Sequence, residues 1–302
     1  MSASLVDAAL RLAELPHGIL ERQSMSGGCI HSVERLRLAD RTVVVVKQAR
    51  PELAEMLVEE ADGLAALRAT GTVRVPGVLG VLSDERGAAM VLEHLARGRA
   101  DGADWTRFGR DLAALHLHPA GELYGFDCDN HLGTTLQPNA WHDDWPAFNA
   151  SCRIGHQLRL LRERGSLDAA QTSVVEAVVE RLPALLPARP RPSLLHGDLW
   201  SGNALALDSG VVAVIDPAPS IGDGLADLAM MRLFGGFPPA CFAGYFAAMS
   251  EAGEPPIPPR ALQARIGAYQ MYHVLNHATI FGGGYGAQAA ALGRDLVALA
   301  GG

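Results

Sequence analysis

Lysine is nearly absent from this chain of 302 residues. Of its 25 basic residues, 24 are arginines and one, Lys47, is a lysine. In a sequence that avoids lysine elsewhere, a single one should mark a position at which arginine fails. A compact ammonium on a flexible stem can enter sites that the wide planar guanidinium cannot. Lys47 is therefore the first candidate functional residue.

Cysteine is scarce as well, and its spacing excludes two kinds of site. The four cysteines show no Cys-x-x-Cys pair and no companion histidines at zinc intervals. Neither a metal cluster nor a disulfide framework is indicated. The residues are Cys29, Cys128, Cys152 and Cys241.

Long apolar runs and an excess of positive charge are also missing. No segment approaches the ~20 apolar residues of a spanning helix, and the first twenty residues lack a basic start before an apolar run. The formal net charge of -8 argues against a nucleic-acid partner, whose binding surface would be basic. These absences predict a cytoplasmic protein without a membrane or nucleic-acid partner, and they leave the oligomeric state open.

The most informative motif that is present is Leu195–Asn203, with the sequence LHGDLWSGN. Asp198 and Asn203 are five positions apart, and Asp216 follows an apolar run that ends a predicted hairpin. Such a loop can aim an aspartate at a substrate hydroxyl while the asparagine reaches a metal ion on the phosphates. The sequence predicts an ATP-dependent kinase with Asp198 as the base and with Asn203 and Asp216 as Mg²⁺ ligands.

Lys47 is predicted to end a strand, Thr42–Val46, which is where a kinase lysine contacts the α- and β-phosphates. The next segment, Pro51 to Thr70, has the apolar period of a helix and carries Glu59 and Glu60. One of these two carboxylates should pair with Lys47.

A glycine-rich segment precedes the lysine strand. Gly27, Gly28 and Cys29 lie between two predicted strands and could turn their backbone N–H groups towards the phosphates, although a plain hairpin turn is the alternative. We hypothesise that oxidation of Cys29 inhibits the protein. A small residue merely tolerated in a loop is the other interpretation. Equal peroxide sensitivity in the wild type and in Cys29→Ser would refute the hypothesis.

The predicted strand Ala88–Leu92 leads into Glu93, His94 and Leu95. In a kinase this is the hinge, where backbone groups bind the adenine edge and two lobes join. The side chain of His94 is interpreted as an exposed linker histidine rather than a catalytic group.

Over about residues 27–285, the chain resembles one family, the fructosamine kinases (ketosamine-3-kinases). The Trp-Ser-Gly filling of the catalytic motif is more specific than the His-Gly-Asp that aminoglycoside and choline kinases share. The matching segments are Leu194–Asn203, Gly125–Asn139, Leu233–Phe237, Trp145, Asp227–Met230, Tyr272-His273, Asn276-His277 and Phe281–Gly283.

The resemblance implies an α+β, bilobal, protein-kinase-like fold. A small antiparallel-sheet N-lobe would comprise residues 1–93 and a mainly helical C-lobe residues 94–302. It implies transfer of the γ-phosphate of ATP to the 3-hydroxyl of a ketosamine, a fructosamine or ribulosamine adduct, as a step of protein or metabolite deglycation. It also assigns the partner of Lys47 to Glu60, within Glu60-Ala61-Asp62-Gly63-Leu64.

Two positions depart from the family pattern. Ile221 and Leu225 stand where a tyrosine and a glutamate are expected. Because they follow the metal site, we expect them to affect the choice of substrate rather than phosphoryl transfer.

For the acceptor site, Trp200 offers a flat face to a sugar ring or a cationic amine, with packing of the catalytic loop as the alternative. Asp223 and His277 are further substrate candidates, and Asp223 and Asp227 could instead hold the catalytic loop by hydrogen bonds. His273 and His277 have the spacing of a metal pair, but without a third ligand we favour a structural or substrate-contact role.

The C-terminal two thirds are predicted to be mainly helical. One long stretch, Pro119 to Phe148, lacks periodicity and is interpreted as an ordered loop on the acceptor side. The predicted helices are Trp105–His116, Ser151–Arg164, Asp168–Leu182, Leu225–Phe234, Cys241–Met249 and Pro259–Ala278.

Two other functions remain compatible with the motifs. The chain could phosphorylate another small hydroxyl substrate, such as an aminoglycoside, choline or a simple sugar. It could also bind a nucleotide without catalysis, although an intact base argues against that reading. The acceptor could be protein-bound or free.

Overall fold

The computed structural model describes residues 4–16, 18–25 and 31–301. The predictions for Gly27, Gly28 and Cys29 fall outside these ranges. The helices are α1 (Leu5–Leu12), α2 (Ala54–Ala69), α3 (Gly102–Leu117), α4 (Trp145–Phe148), α5 (Ile154–Glu163), α6 (Ala169–Leu185), α7 (Leu225–Leu233), α8 (Pro239–Glu251), α9 (Pro259–Phe281) and α10 (Tyr285–Ala300). The strands are β1 (Ile19–Ser24), β2 (Ser32–Leu38), β3 (Val43–Ala49), β4 (Val78–Asp84), β5 (Gly87–Glu93), β6 (Asn130–Leu132), β7 (Thr135–Gln137), β8 (Pro192–Leu195), β9 (Ala204–Ala206), β10 (Val212–Val214) and β11 (Ser220–Asp223).

The chain divides into two units. The first comprises Met1–Phe108 and Gly202–Pro217, and the second comprises Gly109–Ser201 and Ala218–Gly302. The second stretch of the first unit therefore contains the predicted metal ligands, while the predicted base belongs to the second unit. The predicted lobe boundary after residue 93 stays a prediction.

A five-stranded antiparallel sheet forms the first unit, in the order β1-β2-β3-β5-β4. Four consecutive valines begin β3, and β-branched residues favour the pleated, half-buried surface of a strand. Leu36, Val44 and Val91 pack with Val6 and Leu10 of α1 in one buried cluster. Each such side chain stabilises the fold by roughly 1.5–3 kcal/mol relative to an exposed one. The sequence analysis did not predict α1.

Lys47 lies inside β3, and the prediction that it ends the strand was wrong. It pairs with Val33 of β2 and with Met90 of β5, and the pairing continues through Ala49. Because side chains alternate along a strand, neighbours on both sides fix the direction of the lysine.

The predicted hairpin before Asp216 is confirmed as β9 and β10. It is attached to the rest of the first unit by backbone hydrogen bonds. Gly98 N donates to Ala206 O at 2.9 Å, and Val214 N donates to Arg74 O at 2.8 Å. These bonds fix where the strand that precedes Asp216 ends.

Helices dominate the second unit, as predicted. The long helix α9 packs against α5, α6, α7 and α10. Helix α6 begins with a reciprocal capping box between Asp168 and Gln171, a strong start signal in the sequence. The predicted helix from Ser151 begins instead as a π-helical turn, Asn149–Arg153, before α5. Helix α10 was not predicted.

The stretch 119–148 is ordered, as predicted, and contains short elements that its sequence did not reveal. Strands β6 and β7 form a hairpin within it, and α4 ends it. Trp145 is 2 % exposed, and its indole N–H donates to the hydroxyl of Tyr269 at 2.8 Å. Among the helices described, none is both long and apolar enough to cross a membrane.

Candidate active site

In the first unit, Lys47 forms a cluster with two carboxylates. Its ammonium lies 2.6 Å from Glu60 of α2 and also contacts Asp216, and Lys47 is only 7 % exposed. Burial alone would lower the pKa of Lys47, but the charges of Asp216 and Glu60 outweigh it and raise the pKa above its ordinary value. Lys47 is thus held as a cation, and its predicted pairing with Glu60 is confirmed.

Asp216 follows β10 in a left-handed conformation, with φ of 55°. Non-glycine residues rarely adopt this region, and in the described ranges Glu14 and Arg41 are the other two that do. Ile215 N donates to the backbone oxygen of Asn203 at 3.0 Å, so the two predicted metal ligands are linked through the hairpin.

The donor set of Asn203 and Asp216 fits Mg²⁺. Carboxylate and amide oxygens are its preferred protein ligands, and Mg²⁺ is commonly held by one or two side chains together with substrate phosphates. In the described ranges, no group of three or more His, Cys, Asp or Glu side chains could hold a metal by itself. The side chains of Asn203 and Asp216 agree with a site that a nucleotide completes.

His31 joins the same cluster, and the sequence analysis missed it. Burial and the positive charge of Lys47 lower its pKa, while Asp216 acts in the opposite direction. Its Nδ1 is buried without a hydrogen-bond partner among the described residues. His31 is a single histidine after a glycine-rich segment, and it belongs to no sequence motif that would have identified it.

The predicted hinge follows β5. Glu93 N donates to Gly77 O at 2.8 Å, and the Glu93 carboxylate contacts Arg74 and accepts from Gly77 N at 3.0 Å. His94 is half-buried rather than exposed as predicted, and burial lowers its pKa. The adenine contacts of Glu93, His94 and Leu95 stay predictions.

In the second unit, the catalytic loop of Asp198 begins where β8 ends. Gly197 has a φ of 82°, and a Cβ there would lie 1.9 Å from Ala218 O. Ala218 N also donates to His196 O at 2.9 Å. Only glycine fits this turn, which explains why a glycine stands between His196 and Asp198.

Asp227 holds the catalytic loop by hydrogen bonds, as predicted. Its carboxylate accepts from His196 N at 2.8 Å and from Gly197 N at 2.9 Å. His116 Nε2 lies 3.2 Å away, and its Nδ1 lies 3.0 Å from the hydroxyl of Tyr245. Burial alone would raise the pKa of Asp227, but these hydrogen bonds outweigh it and lower the pKa, so the carboxylate stays ionised.

The same prediction was wrong for Asp223, which does not hold the catalytic loop. It is 4 % exposed, and its carboxylate accepts from Arg265 Nε at 2.9 Å, from Tyr269 and from Leu225 N at 3.1 Å. This buried ion pair disfavours the substrate contact that we predicted for Asp223, because its oxygens already have partners.

Trp200 is 40 % exposed, which favours an acceptor contact over core packing. Along α9, His273 is buried and His277 is half-buried, and His277 Nδ1 donates to the His273 carbonyl at 2.8 Å. Burial lowers the pKa of His273 to about 3. The pair has structural contacts of its own, and its predicted roles at the substrate stay predictions.

A small cavity lies next to the catalytic loop in the second unit. Gly197, Asp227, Arg153, Tyr272 and His273 contribute to its lining. Burial raises the pKa of Tyr272 to about 12, Arg153 opposes this and the charge of Asp198 adds to it. The cavity volume of about 30 Å³ suits about two water molecules rather than a sugar ring.

Ile221 and Leu225, the two departures from the family pattern, are buried at 7 % and 3 % exposure. Both side chains belong to the core of the second unit, and their expected effect on the choice of substrate stays a prediction.

Comparison with known proteins identifies the family of the chain. The family model for fructosamine kinase matches residues 4–298. The chain belongs to the fructosamine kinase family. A Synechocystis sp. relative, named as a probable ketoamine kinase, is 42 % identical and covers 91 % of this chain and 89 % of its own. Protein-ribulosamine 3-kinase of Oryza sativa subsp. japonica is 32 % identical, covering 91 % and 78 %.

Solved structures place this fructosamine kinase family member among kinase-like folds. A candidate fructosamine-3-kinase from Thermobifida fusca has a TM-score of 0.82 at 31 % identity, covering 96 % of this chain and 98 % of its own. An aminoglycoside phosphotransferase, APH(4)-Ia, has a TM-score of 0.63 at 14 % identity, covering 93 % and 94 %, which shows a common fold alone. The predicted fold class is confirmed.

Proposed function

We propose that this protein transfers the γ-phosphate of ATP to a sugar hydroxyl of a ketosamine. Family membership supports the reaction, and the names of the Synechocystis and rice relatives support the substrate class. The observation that carries the proposal in the structure is the cluster of Lys47, Glu60 and Asp216, in which a buried cation contacts a predicted metal ligand.

The first unit is proposed to bind the nucleotide. Lys47 would contact the α- and β-phosphates as a point charge, with Glu60 fixing its position. Asn203 and Asp216 would hold Mg²⁺, which when bound neutralises charge on the β- and γ-phosphates. Glu93, His94 and Leu95 would supply the backbone groups for adenine. His31 would add a polar group to this cluster.

The second unit is proposed to bind the acceptor and accept its proton. The hydroxyl proton of the sugar passes to the Asp198 carboxylate, the hydroxyl oxygen forms a bond to the γ-phosphorus, and the bond to the bridging oxygen breaks to release ADP. The backbone bonds of His196 and Gly197 to Asp227 would keep Asp198 in place. Preorganisation of this kind avoids rearrangement during the reaction.

The identity of the sugar and amine forms the finer part of the proposal. The rice relative is named for ribulosamine on protein, and other relatives are named for ketoamines in general. We therefore propose fructosamine and ribulosamine adducts, free or on protein, as acceptors and deglycation as the outcome. The predicted cytoplasmic location belongs to the proposal too, whereas the rice relative is named as chloroplastic.

The test is ADP release that depends on Mg²⁺ and ATP, measured with ribulosamines, fructosamines, free sugars and aminoglycosides. Asp198→Asn serves as the control, because it keeps the shape of the side chain and removes the base. We expect release with ketosamines only, and its loss in the control. Release with an aminoglycoside or a free sugar alone would keep the kinase and reject the substrate class.

A further inference from the structure

Two Phe-Gly-Gly sequences end two different helices of the second unit. Phe234 follows α7 and precedes Gly235 and Gly236, which have φ of 69° and 92°. Phe281 ends α9 before Gly282 and Gly283, with φ of 63° and 64°. Glycine in this left-handed region terminates a helix. A phenylalanine therefore lies at the C-terminal end of each helix, directly before the glycines that stop it.

These two rings lie on the surface and share one neighbour. Phe234 is 44 % exposed and Phe281 is 62 % exposed. His277 lies between them, with ring centroids at 4.9 Å from Phe234, 5.5 Å from Phe281 and 5.2 Å from Tyr285. We call Phe234, His277, Phe281 and Tyr285 the aromatic patch. Exposed aromatic clusters of this kind mark binding surfaces more often than scattered apolar residues do.

The aromatic patch continues from the catalytic loop. A Cβ at Gly236 would lie 2.5 Å from Ser201, so the turn after Phe234 packs directly on that residue. Ser201 is three positions after Asp198, which limits the distance between their Cα atoms to about 11 Å. Trp200, 40 % exposed, lies between them in sequence. The aromatic patch therefore adjoins the part of the catalytic loop that follows Asp198, at Ser201.

The chemistry of the patch favours a cation with an apolar substituent. The faces of aromatic rings attract ammonium groups. Because a carbonyl can only accept, the bond of His277 Nδ1 to His273 O makes Nδ1 the donor, and Nε2 of the neutral ring is then an acceptor. The C-terminal end of α9 adds partial negative charge, and Arg164 already donates to Thr279 O there at 2.6 Å.

We propose that the aromatic patch binds the amine-bearing part of the ketosamine, resting on the proposed function for the sugar-bearing part. In a ketosamine the amine nitrogen is attached to the sugar, and an alkylamine is protonated at neutral pH. The sugar faces Trp200 and Asp198, the ammonium lies against the rings with His277 Nε2 as acceptor, and the apolar substituent covers Phe234 and Phe281. Phe234, Phe281 and Tyr285 are specificity-determining residues in this arrangement.

The experiment compares acceptors that share one sugar. The probes are the fructosamines of methylamine and of phenethylamine, together with the uncharged 1-O-phenethyl ether of fructose. Phe234→Ala and Phe281→Ala should each raise the KM for the phenethyl fructosamine about three- to tenfold, with little change in kcat. The KM for the methyl fructosamine should rise less, and the ether should bind more weakly than the matching amine. Phe281→Tyr, which keeps the ring, should restore the wild-type ratio of KM values.

The matched control is Leu123→Ala, a hydrophobic residue of the same unit with 43 % exposure, which should leave the ratio of KM values unchanged. If the wild type phosphorylates both fructosamines and the patch variants alter their KM values equally, the inference fails while the proposed function stands. If the wild type phosphorylates neither, both fail. An unchanged ratio accompanied by loss of a dimer on gel filtration would also overturn the inference, by assigning the patch to a second copy of the chain.

Discussion

At the scale of single residues, the rarity of lysine was as informative as the kinase motif. The sequence suggested that arginine fails at position 47, and the structure supplies the reason. Lys47 is 7 % exposed, and its ammonium fits between Glu60 and Asp216. A guanidinium is wider and planar, so it would displace one carboxylate or push β3 and α2 apart.

Lys47→Arg should therefore impair the kinase although the charge is kept. We expect kcat/KM to fall at least about tenfold, because a misplaced cation stabilises the phosphates less in the transition state. Steady-state ADP release measures the change. Arg37→Lys, the reverse exchange at an exposed pair with Glu21 in the same unit, is the control and should retain activity. Full activity of Lys47→Arg would show that the site does not discriminate between the two cations.

His273 gives a prediction for acid stability. Burial lowers its pKa from 6.5 to about 3, so the folded protein resists a proton that the unfolded chain accepts. Since the unfolded state binds more protons, the free energy of unfolding must fall as the pH falls from 6.5 towards 3. The slope from this residue approaches ~1.4 kcal/mol per pH unit.

Urea unfolding of the wild type and of His273→Gln between pH 7.5 and 4 measures this slope. We expect the stability of His273→Gln to depend less steeply on pH. Thr279→Val, at a buried and non-titrating position of the same helix, should shift stability by a constant amount. Parallel curves for wild type and His273→Gln would contradict the assignment.

Other residues could not be judged from sequence because their roles depend on long-range partners. Asp223 looked available for substrate, but its carboxylate is bound by Arg265 and Tyr269, more than forty positions later. His31 joins Lys47 and Asp216 only through folding of the first unit. No local pattern encodes such distant pairings, whereas the spacing of Asp198 and Asn203 does encode a loop.

At the scale of elements, the turn that carries Asp198 depends on a glycine. Gly197→Ala would combine an unfavourable φ of 82° with a Cβ only 1.9 Å from Ala218 O. Gly121 has a nearly identical φ of 83° and open space around it. Comparing the two substitutions separates the loss of stability caused by the dihedral from the loss caused by the steric clash.

Gly121→Ala should lower the free energy of unfolding by ~1–2 kcal/mol. Gly197→Ala should cost clearly more and should also reduce kcat, because relief of the clash moves the loop away from Asp227. Urea unfolding and ADP release measure the two effects. Equal losses of stability in both variants would mean that the loop accommodates the extra methyl group.

The elements that the sequence predicted are those with strong local signals. The valine run of β3, the Asp168 cap of α6 and the turn between β9 and β10 each specify their element within a few residues. By contrast, α1 and α10 were missed because α1 is short and α10 contains interior glycines, which lower helix propensity. Their helical state comes from packing, α1 on the sheet and α10 on α6 and α9.

At the scale of the whole molecule, the reaction components are divided between two units. The chain passes from the second unit to the first between Ser201 and Gly202, and it returns after Pro217. Asp198 therefore belongs to one unit, although Asn203 and Asp216 belong to the other. This division predicts that nucleotide binding and proton acceptance can be separated by mutation.

MgATP should stabilise the whole chain against unfolding by mass action, by about 2.7 kcal/mol at one hundred times its Kd. Asp198→Asn should keep this stabilisation while turnover falls steeply, because residue 198 lies outside the unit that we propose binds the nucleotide. Asp216→Asn should lose most of the difference between MgATP and ATP alone, since it removes a metal-ligating charge and a partner of Lys47. Thermal unfolding at fixed protein concentration, with and without EDTA, measures each case. Asp198→Asn could instead abolish the stabilisation by MgATP as completely as Asp216→Asn. Asp198 would then be needed for nucleotide binding, and the separation of roles inferred from the two units would be wrong.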